Sequence, residues 1–144
     1  MAKVEQVFRE SIIHIVSDFN NDLSPTECVQ SMHKVFRRHD ISFKDRNPIA
    51  PPVKDVRPFN ITDGAFQIAQ LANNMLDEPA IFVGVIDPGV GGERKGIVVT
   101  TDEPHVFIGP DNGLFWPALS EQGITGVYRV KDEIASQEVP QRFT

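Results

Sequence analysis

A run of seven apolar residues, AIFVGVI at positions 80–86, places the strongest constraint on the fold of this chain. Apolar side chains do not alternate with polar ones here, so the run predicts a strand buried on both faces, which is typical of the centre of an α/β sheet. The run ends at Asp87, and a glycine-rich turn follows over residues 88–92. A β-branched run over residues 11–17 ends in the same way, at Asp18, and predicts a second buried strand.

Helical patterns alternate with these strands. Ser24, Pro25 and Glu27 match a capping box, which predicts a helix with Ser24 as its N-cap. The remaining elements are predicted from apolar spacing and turn residues: a helix over about 61–75, a pair of strands at 96–101 and 105–109, a short helix near 114–120, and a strand over about 126–130. This alternation predicts an α/β fold with a mostly parallel sheet and flanking helices in three layers.

Composition narrows the class of protein further. The 144 residues fit a single domain, and the formal net charge of −6 without a basic run argues against a nucleic-acid or anionic-membrane partner. No stretch approaches the about 20 apolar residues of a membrane span. Cys28 is the only cysteine, so no intrachain disulfide can form, which suits a reducing compartment. The chain is therefore expected to be soluble and cytoplasmic.

The segment DPGVGGER at 87–94 carries the strongest chemical signal. Its three glycines permit a tight turn that brings Asp87 and Arg94 near each other. A carboxylate paired with a guanidinium is able to orient a water molecule and to hold hydroxide-like charge. The pattern alone leaves a second interpretation open, in which the two residues form a structural ion pair in a glycine-rich connection. The segment lacks the lysine and the serine or threonine of a phosphate-binding loop, which argues against a phosphate site.

Two further segments lie at predicted strand ends. Asp18 lies where a carboxylate could accept hydrogen bonds from a ribose diol, although a helix cap or a surface acid fits the same position. The segment GPDNGL at 109–114 predicts a turn with positive φ, either as a plain connection or as part of a ligand site. Ligands of open α/β sheets bind outside the carboxyl ends of the strands. The spacing of the four histidines matches no metal site, so none is predicted.

These segments together resemble the S-adenosylmethionine hydroxide adenosyltransferases, which are related to enzymes that use fluoride or chloride in place of hydroxide. The resemblance is carried by SDFN at 17–20, PFNI at 58–61, IDPGVGGER at 86–94 and GPDNGL at 109–114. It implies that residues 1–144 form one domain equivalent to the family's N-terminal domain. The family's C-terminal β domain, which binds adenine across a trimer interface, is absent from these 144 residues.

The resemblance implies hydrolysis of S-adenosyl-L-methionine to adenosine and L-methionine by attack of hydroxide on the ribose C5′. Asp87 and Arg94 match two members of the family's Asp–Arg–His triad. The resemblance also implies that Asp18 holds the ribose hydroxyls, that Asn112 lines the nucleoside pocket, and that Asp22 or Ser24 contacts the methionine end. S-adenosylmethionine is then the substrate, and no cofactor or metal is implied.

Departures from the family pattern leave two expectations open. None of the four histidines lies where the family carries its triad histidine, and the segment over 40–57 does not match the family's second strand. The first expectation is an S-adenosylmethionine hydrolase whose complete form includes a second domain, which either comes from a separate, complementing C-terminal chain or has been lost by truncation. A homo-oligomer, a trimer by the resemblance, is the other expected partner. The second expectation is a non-catalytic remnant of the family that binds an adenosyl ligand or a protein.

Overall fold

The computed structural model describes residues 8–19, 23–43, 48–53 and 55–132. The strands of this part are β1 Ile12–Ser17, β2 Ala80–Val85, β3 Gly96–Thr101, β4 His105–Pro110 and β5 Ile124–Arg129. Its helices of seven residues or more are α1 Leu23–Arg38, α2 Ile61–Asn73 and α3 Trp116–Gln122. All the predicted strands and helices are present, with bounds that differ from the predicted ones by a few residues.

The start of α1 differs from the prediction. The helix already includes Leu23, so Ser24 lies in its first turn and the prediction of Ser24 as the N-cap is wrong. Proline is tolerated throughout the first turn of a helix, because the backbone N–H that it lacks has no partner there. Pro25 is therefore compatible with either starting point and does not fix the boundary.

The five strands form one sheet in the order β1-β2-β4-β3-β5. β1 pairs with β2 in parallel, and β2 pairs with β4 in parallel. β3 runs antiparallel to both β4 and β5. The predicted α/β class is confirmed. Only two of the four strand pairs are parallel, however, so the sheet is less parallel than predicted. The reason is the short connection over 102–104, since a link of this length joins only antiparallel strands.

The proline-rich segment before α2 extends the sheet beyond β1. Ile13 forms a parallel bridge with Ile49, and Val16 forms one with Val53. The described residues between 48 and 57 contain no helix, as the prolines predict. Their pairing with β1 was not predicted, because two isolated bridges leave no period-2 pattern in a sequence.

Helices cover both faces of the sheet, which confirms the three layers. On one face, α2 and α3 pack on a core that includes Val16, Phe82, Phe107, Ile68 and Leu119. On the other face, α1 packs against a smaller core that includes Ile13, Ile15, Ile81, Met32 and Phe36. No helix in the described part of the chain is long and apolar enough to cross a bilayer.

Two glycines in neighbouring strands allow residue Phe115 to pack directly on the sheet. A Cβ at Gly109 would lie 2.6 Å from the Gly84 carbonyl oxygen and 2.7 Å from Phe115 Cζ. A Cβ at Gly84 would lie 2.5 Å from Leu114 Cδ2. Leu114 and Phe115 are both buried, so the segment after β4 is held close against β2 and β4. This packing fixes the connection that carries Asn112.

His14 lies in β1 and stacks on Phe82, with ring centroids 5.4 Å apart and an angle of 15° between the planes. Its Nε2 atom is buried and has no hydrogen-bond partner in the described part of the protein. Burial lowers the pKa of His14 below its ordinary value of 6.5, and the proximity of His105 lowers that pKa further.

We expect the free energy of unfolding to fall as the pH is lowered from about 7 to about 5, and to fall less in His14→Phe. Above pH 6.5 His14 is neutral in both the folded and the unfolded state, so its full contribution to stability is present. Below that pH the unfolded chain takes up a proton that the folded chain resists, with a limiting slope of about 1.4 kcal/mol per pH unit. Urea titrations at several pH values measure this slope. His39→Phe, at an exposed position, is the control, and equal slopes in His14→Phe and the wild type would contradict a half-buried His14 that stays neutral in the folded protein.

Candidate active site

Three of the predicted site residues follow strands that lie side by side. β1, β2 and β4 are parallel neighbours, so their carboxyl ends meet at one edge of the sheet, here named the carboxyl edge. Asp18 follows β1 directly, while Asp87 and Asn112 each lie two residues beyond the ends of β2 and β4. The fold therefore brings all three to the edge where sheets of this kind bind ligands.

Asp87 and Arg94 are in direct contact. Arg94 Nη1 donates a hydrogen bond to Asp87 Oδ1 at 2.6 Å, and the same oxygen accepts one from the Gly89 backbone N–H at 3.0 Å. No described residue donates to Asp87 Oδ2, so this oxygen is available to a water molecule or a ligand. The contact predicted from the spacing of the glycine-rich segment is present.

The turn between these residues explains why they meet. The Val90 N–H donates to the Asp87 carbonyl at 3.2 Å, and the Gly92 N–H donates to the Gly89 carbonyl at 3.0 Å. Gly91 between them has a φ of 84°, which glycine adopts without strain. A Cβ at Gly89 would lie 2.8 Å from Arg94 Nη2, so the absence of a side chain there lets the guanidinium lie close to the backbone.

The pair is only partly buried, with 23% of the Asp87 side chain and 34% of the Arg94 side chain exposed. Ion pairs near the surface typically contribute about 0–1 kcal/mol to stability. The fold therefore gains little from this pair. An accessible carboxylate oxygen beside a guanidinium is, by contrast, an arrangement able to polarise a bound water.

Asn112 connects the ends of β2 and β4. Its Nδ2 atom donates to the Ile86 carbonyl at 2.9 Å, and its Oδ1 atom accepts from the Leu114 N–H at 3.1 Å. Ile86 immediately precedes Asp87, so the Asn112 side chain reaches the segment that carries the acid. Sequence reasoning placed Asn112 at this edge but did not predict these bonds.

Asp18 stabilises the turn at Phe59, a contact that the sequence did not predict. Its Oδ2 atom accepts a hydrogen bond of 2.7 Å from the Phe59 backbone N–H. Phe59 has a φ of 56°, a conformation uncommon for a residue with a side chain, and the residue is 66% exposed. The available signal was the PFNI segment at 58–61, which contains Asn60, the N-cap of α2. Asp18 Oδ1 has no hydrogen-bond partner among the described residues.

The two residues expected at the methionine end are less fully defined. Asp22 lies outside the described residues. Ser24 lies in the first turn of α1, whose backbone is described there while the Ser24 side chain is not. Because α1 follows β1 through the segment after Asp18, its first turn lies toward the carboxyl edge.

A cavity of about 610 Å³ lies elsewhere, between α1 and the sheet. Its lining is mostly apolar and includes Ile13, Met32, Phe36, Ile81 and Ile108. It includes neither Asp87 nor Arg94, so the acid and the guanidinium lie outside this cavity. Among the described residues, no group of three or more His, Cys, Asp or Glu side chains is arranged to hold a metal ion.

The fold and this site define a three-layer α/β domain that presents a paired acid and guanidinium at the carboxyl edge of its sheet. The family model described as the SAM hydroxide adenosyltransferase N-terminal domain matches residues 13–144, and the chain belongs to that family.

Two curated relatives are named (R)-S-adenosyl-L-methionine hydrolase. The protein from Methanocaldococcus jannaschii is 39% identical over 79 residues, which cover 55% of this chain and 29% of the relative. The protein from Salinispora arenicola is 37% identical over 68 residues, which cover 47% of this chain and 25% of the relative. The matched region thus spans between a quarter and a third of the length of these relatives.

Two solved structures have the same fold. An uncharacterized conserved protein from Thermotoga maritima matches with a TM-score of 0.68 and 22% identity, over 92% of this chain and 48% of that chain. A conserved hypothetical protein from Thermus thermophilus matches with a TM-score of 0.65 and 23% identity, over 84% of this chain and 47% of that chain.

Proposed function

We propose that this chain forms part of an enzyme that hydrolyses S-adenosyl-L-methionine to adenosine and L-methionine. The observation that carries the proposal is the Asp87–Arg94 pair, joined at 2.6 Å and accessible at the carboxyl edge of the sheet. Membership of the SAM hydroxide adenosyltransferase family supports it. The names of the two curated relatives support the same substrate.

The chemistry of the reaction suits this pair. The C5′–S bond of the sulfonium breaks as a C5′–O bond forms, and the bond electrons go to sulfur, which leaves as a neutral thioether and needs no general acid. The difficult step is to generate a nucleophile from water, whose bulk pKa is about 15.7. Asp87 accepts the proton of the water through Oδ2, while Arg94 orients the carboxylate and stabilises the negative charge that develops on the oxygen.

The remaining site residues are proposed to hold the substrate. Asp18 accepts hydrogen bonds from the ribose hydroxyls through Oδ1, since Oδ2 is engaged by Phe59. Asn112 borders the nucleoside pocket, and Asp22 or Ser24 contacts the methionine end. The displacement is a hydrolysis that needs no external oxidant or reductant. It therefore requires S-adenosylmethionine and water but no redox cofactor.

We further propose that additional polypeptide completes the site. The matched region covers 48% and 47% of the two solved structures, so proteins of this fold carry about as much chain again. A homotrimer and a complementing C-terminal chain are the two proposed assemblies. Only the complementing chain would supply the third member of the triad and the adenine site, because identical copies of these residues lack both.

Binding without turnover is the second candidate function. The described histidines lie within β1, on or just after α1, and at the start of β4: His14, His33, His39 and His105. None of these four forms a hydrogen bond with Asp87 or Arg94. This observation favours a protein that binds an adenosyl ligand or a protein partner without cleaving it.

Incubation with S-adenosylmethionine in water enriched in oxygen-18 tests the proposal. We expect adenosine whose 5′-hydroxyl carries the heavy isotope, because the attacking oxygen comes from water. Mass spectrometry of the nucleoside measures the label, with protein-free buffer as the blank. The assay is run on the chain alone and with the C-terminal segment of the Methanocaldococcus jannaschii relative added in trans.

Three outcomes distinguish the candidate functions. Labelled adenosine from the chain alone supports an enzyme that needs no further polypeptide, whereas labelled adenosine only in the mixture supports completion by a second segment. Adenosine binding measured by calorimetry, without hydrolysis in either arm, would favour the binding function and exclude the enzymatic one.

A further inference from the structure

We infer that Asn112, which borders the proposed nucleoside pocket, is a positioning residue for Asp87 and acts through the Ile86 carbonyl rather than through a hydrogen bond to the substrate. The inference rests on the proposed function, because it assigns Asn112 a task in the same reaction. It goes beyond that function in saying how the carboxylate that activates water is held in place.

Both ends of the Asn112 amide are engaged by the protein. Nδ2 donates to the Ile86 carbonyl at 2.9 Å, and Oδ1 accepts from the Leu114 N–H at 3.1 Å. The second of these bonds closes a turn around Gly113, whose φ is 86°. The amide is therefore held in one orientation, with its N–H group directed at β2.

The bond from Asn112 to the Ile86 carbonyl lies just beyond the paired part of β2 and β4. The backbone pairing of β2 with β4 extends to Val83 and Ile108. Ile86 lies three residues beyond that pair, where the two chains no longer form the ladder. The Asn112 side chain thus replaces a backbone hydrogen bond and joins the two strand ends at the point from which Asp87 projects.

Ile86 is held from its other side as well. Its side chain is fully buried, and a Cβ at Gly64 of α2 would overlap with its Cδ1 atom. The side chain and the carbonyl group of Ile86 are therefore both fixed, and the next residue leaves β2 in a defined direction. Asp87 Oδ1 must meet both Arg94 Nη1 and the Gly89 N–H, so a small rotation of the 86–87 peptide would disturb both contacts.

The chemistry of asparagine matches this task. The site requires one donor and one acceptor on a short planar group, which an amide provides. Aspartate has the same shape and still accepts from Leu114, but it would direct an oxygen at the Ile86 carbonyl. Leucine has a similar branched outline, although it is larger, and forms neither bond. Asn112→Leu removes both bonds without adding charge, whereas Asn112→Asp removes the donor, keeps the acceptor and adds a negative charge.

The test compares these two variants with Asp111→Ala, an exposed neighbour whose side chain forms no hydrogen bond among the described residues. In the assembly that hydrolyses S-adenosylmethionine, we expect Asn112→Leu to lower kcat by about 10- to 100-fold, because small displacements of a reacting group have effects of this size. We expect KM and the Kd for adenosine to change less than about twofold, because such a displacement affects the reacting geometry and not the ground-state contacts. Asp111→Ala should retain wild-type values.

A measurement that needs no turnover separates this inference from the proposed function. Amide hydrogen exchange at Gly89, whose N–H is bonded to Asp87 Oδ1, is followed by NMR in each variant of the chain. We expect exchange to be about tenfold faster in Asn112→Leu and unchanged in Asp111→Ala. If the wild type hydrolyses no S-adenosylmethionine, the proposed function fails, while the exchange rate still decides whether Asn112 positions the Asp87 turn.

Two results would overturn the inference. Unchanged Gly89 exchange in a folded variant would show that Asn112 does not hold the turn. A KM or adenosine Kd raised at least as much as kcat is lowered would show that Asn112 acts by contacting the substrate. If circular dichroism shows that Asn112→Leu does not fold, the same criteria apply to Asn112→Asp, which keeps the bond to Leu114.

Discussion

Asp87→Asn is expected to lower kcat for hydrolysis of S-adenosylmethionine by about 10²- to 10⁴-fold, the usual contribution of a general base. The amide oxygen still accepts from Arg94 and Gly89, so the turn keeps its shape. Under the proposed mechanism, the amide is unable to take the proton from water. Because the ion pair is partly exposed, we expect the free energy of unfolding to change by only about 0–1 kcal/mol. Chromatographic detection of adenosine and urea titration measure the two quantities.

Asp111→Asn is the matched control for that substitution. Asp111 is exposed and lies in the neighbouring turn, and its replacement removes the same charge. We expect this variant to retain activity and stability close to those of the wild type. If Asp87→Asn instead unfolds the protein, the structural ion-pair interpretation gains support. Full activity in folded Asp87→Asn would remove Asp87 from the mechanism.

The largest expected effect on stability comes from Gly109→Ala. The new Cβ would lie 2.6 Å from the Gly84 carbonyl oxygen and 2.7 Å from Phe115 Cζ. The carbonyl belongs to the adjacent strand and cannot move without breaking the sheet, and Phe115 is buried. We expect a loss of about 3 kcal/mol, at the upper end for overpacking, measured by urea unfolding followed by circular dichroism.

Gly96→Ala tests whether that loss comes from the close contact rather than from replacing a strand glycine. At Gly96 in β3 the new Cβ would lie 3.5 Å from Val130 Cγ2, an ordinary contact distance. Alanine lowers the conformational entropy of the unfolded chain relative to glycine. We therefore expect Gly96→Ala to be as stable as the wild type or more stable by up to about 1 kcal/mol. Equal losses at the two positions would contradict the packing assigned to Phe115.

Local patterns predicted much of the fold and part of the site. The apolar run over 80–86 predicted β2, and the glycine spacing over 87–94 predicted the contact between Asp87 and Arg94, which are seven residues apart. Such features depend on residues close together in the chain, so they can be recognised in the sequence. The direction of the strand pairs was predicted less well, because the hairpin between β3 and β4 makes half of the sheet antiparallel.

The contacts that were missed join distant parts of the chain. Asp18 and Phe59 are 41 residues apart, and Asn112 and Ile86 are 26 residues apart. No periodicity or turn preference relates such residues, because their meeting depends on how β1, β2 and β4 are ordered in the sheet. Both Asp18 and Asn112 were predicted as ligand-binding residues, and the bonds that each forms within the protein became visible only in the folded structure.

The short separation of Asp87 and Arg94 along the chain allows their contact to form within this domain alone. Closing a span of this length costs less chain entropy than joining distant segments, and the glycine turn reduces the strain of doing so. The acid and the guanidinium therefore meet once β2 and β3 are in place, ahead of any ligand or docking polypeptide. Under the proposed function the substrate would meet a pair that is already formed, so none of its binding free energy would be needed to bring the two side chains together.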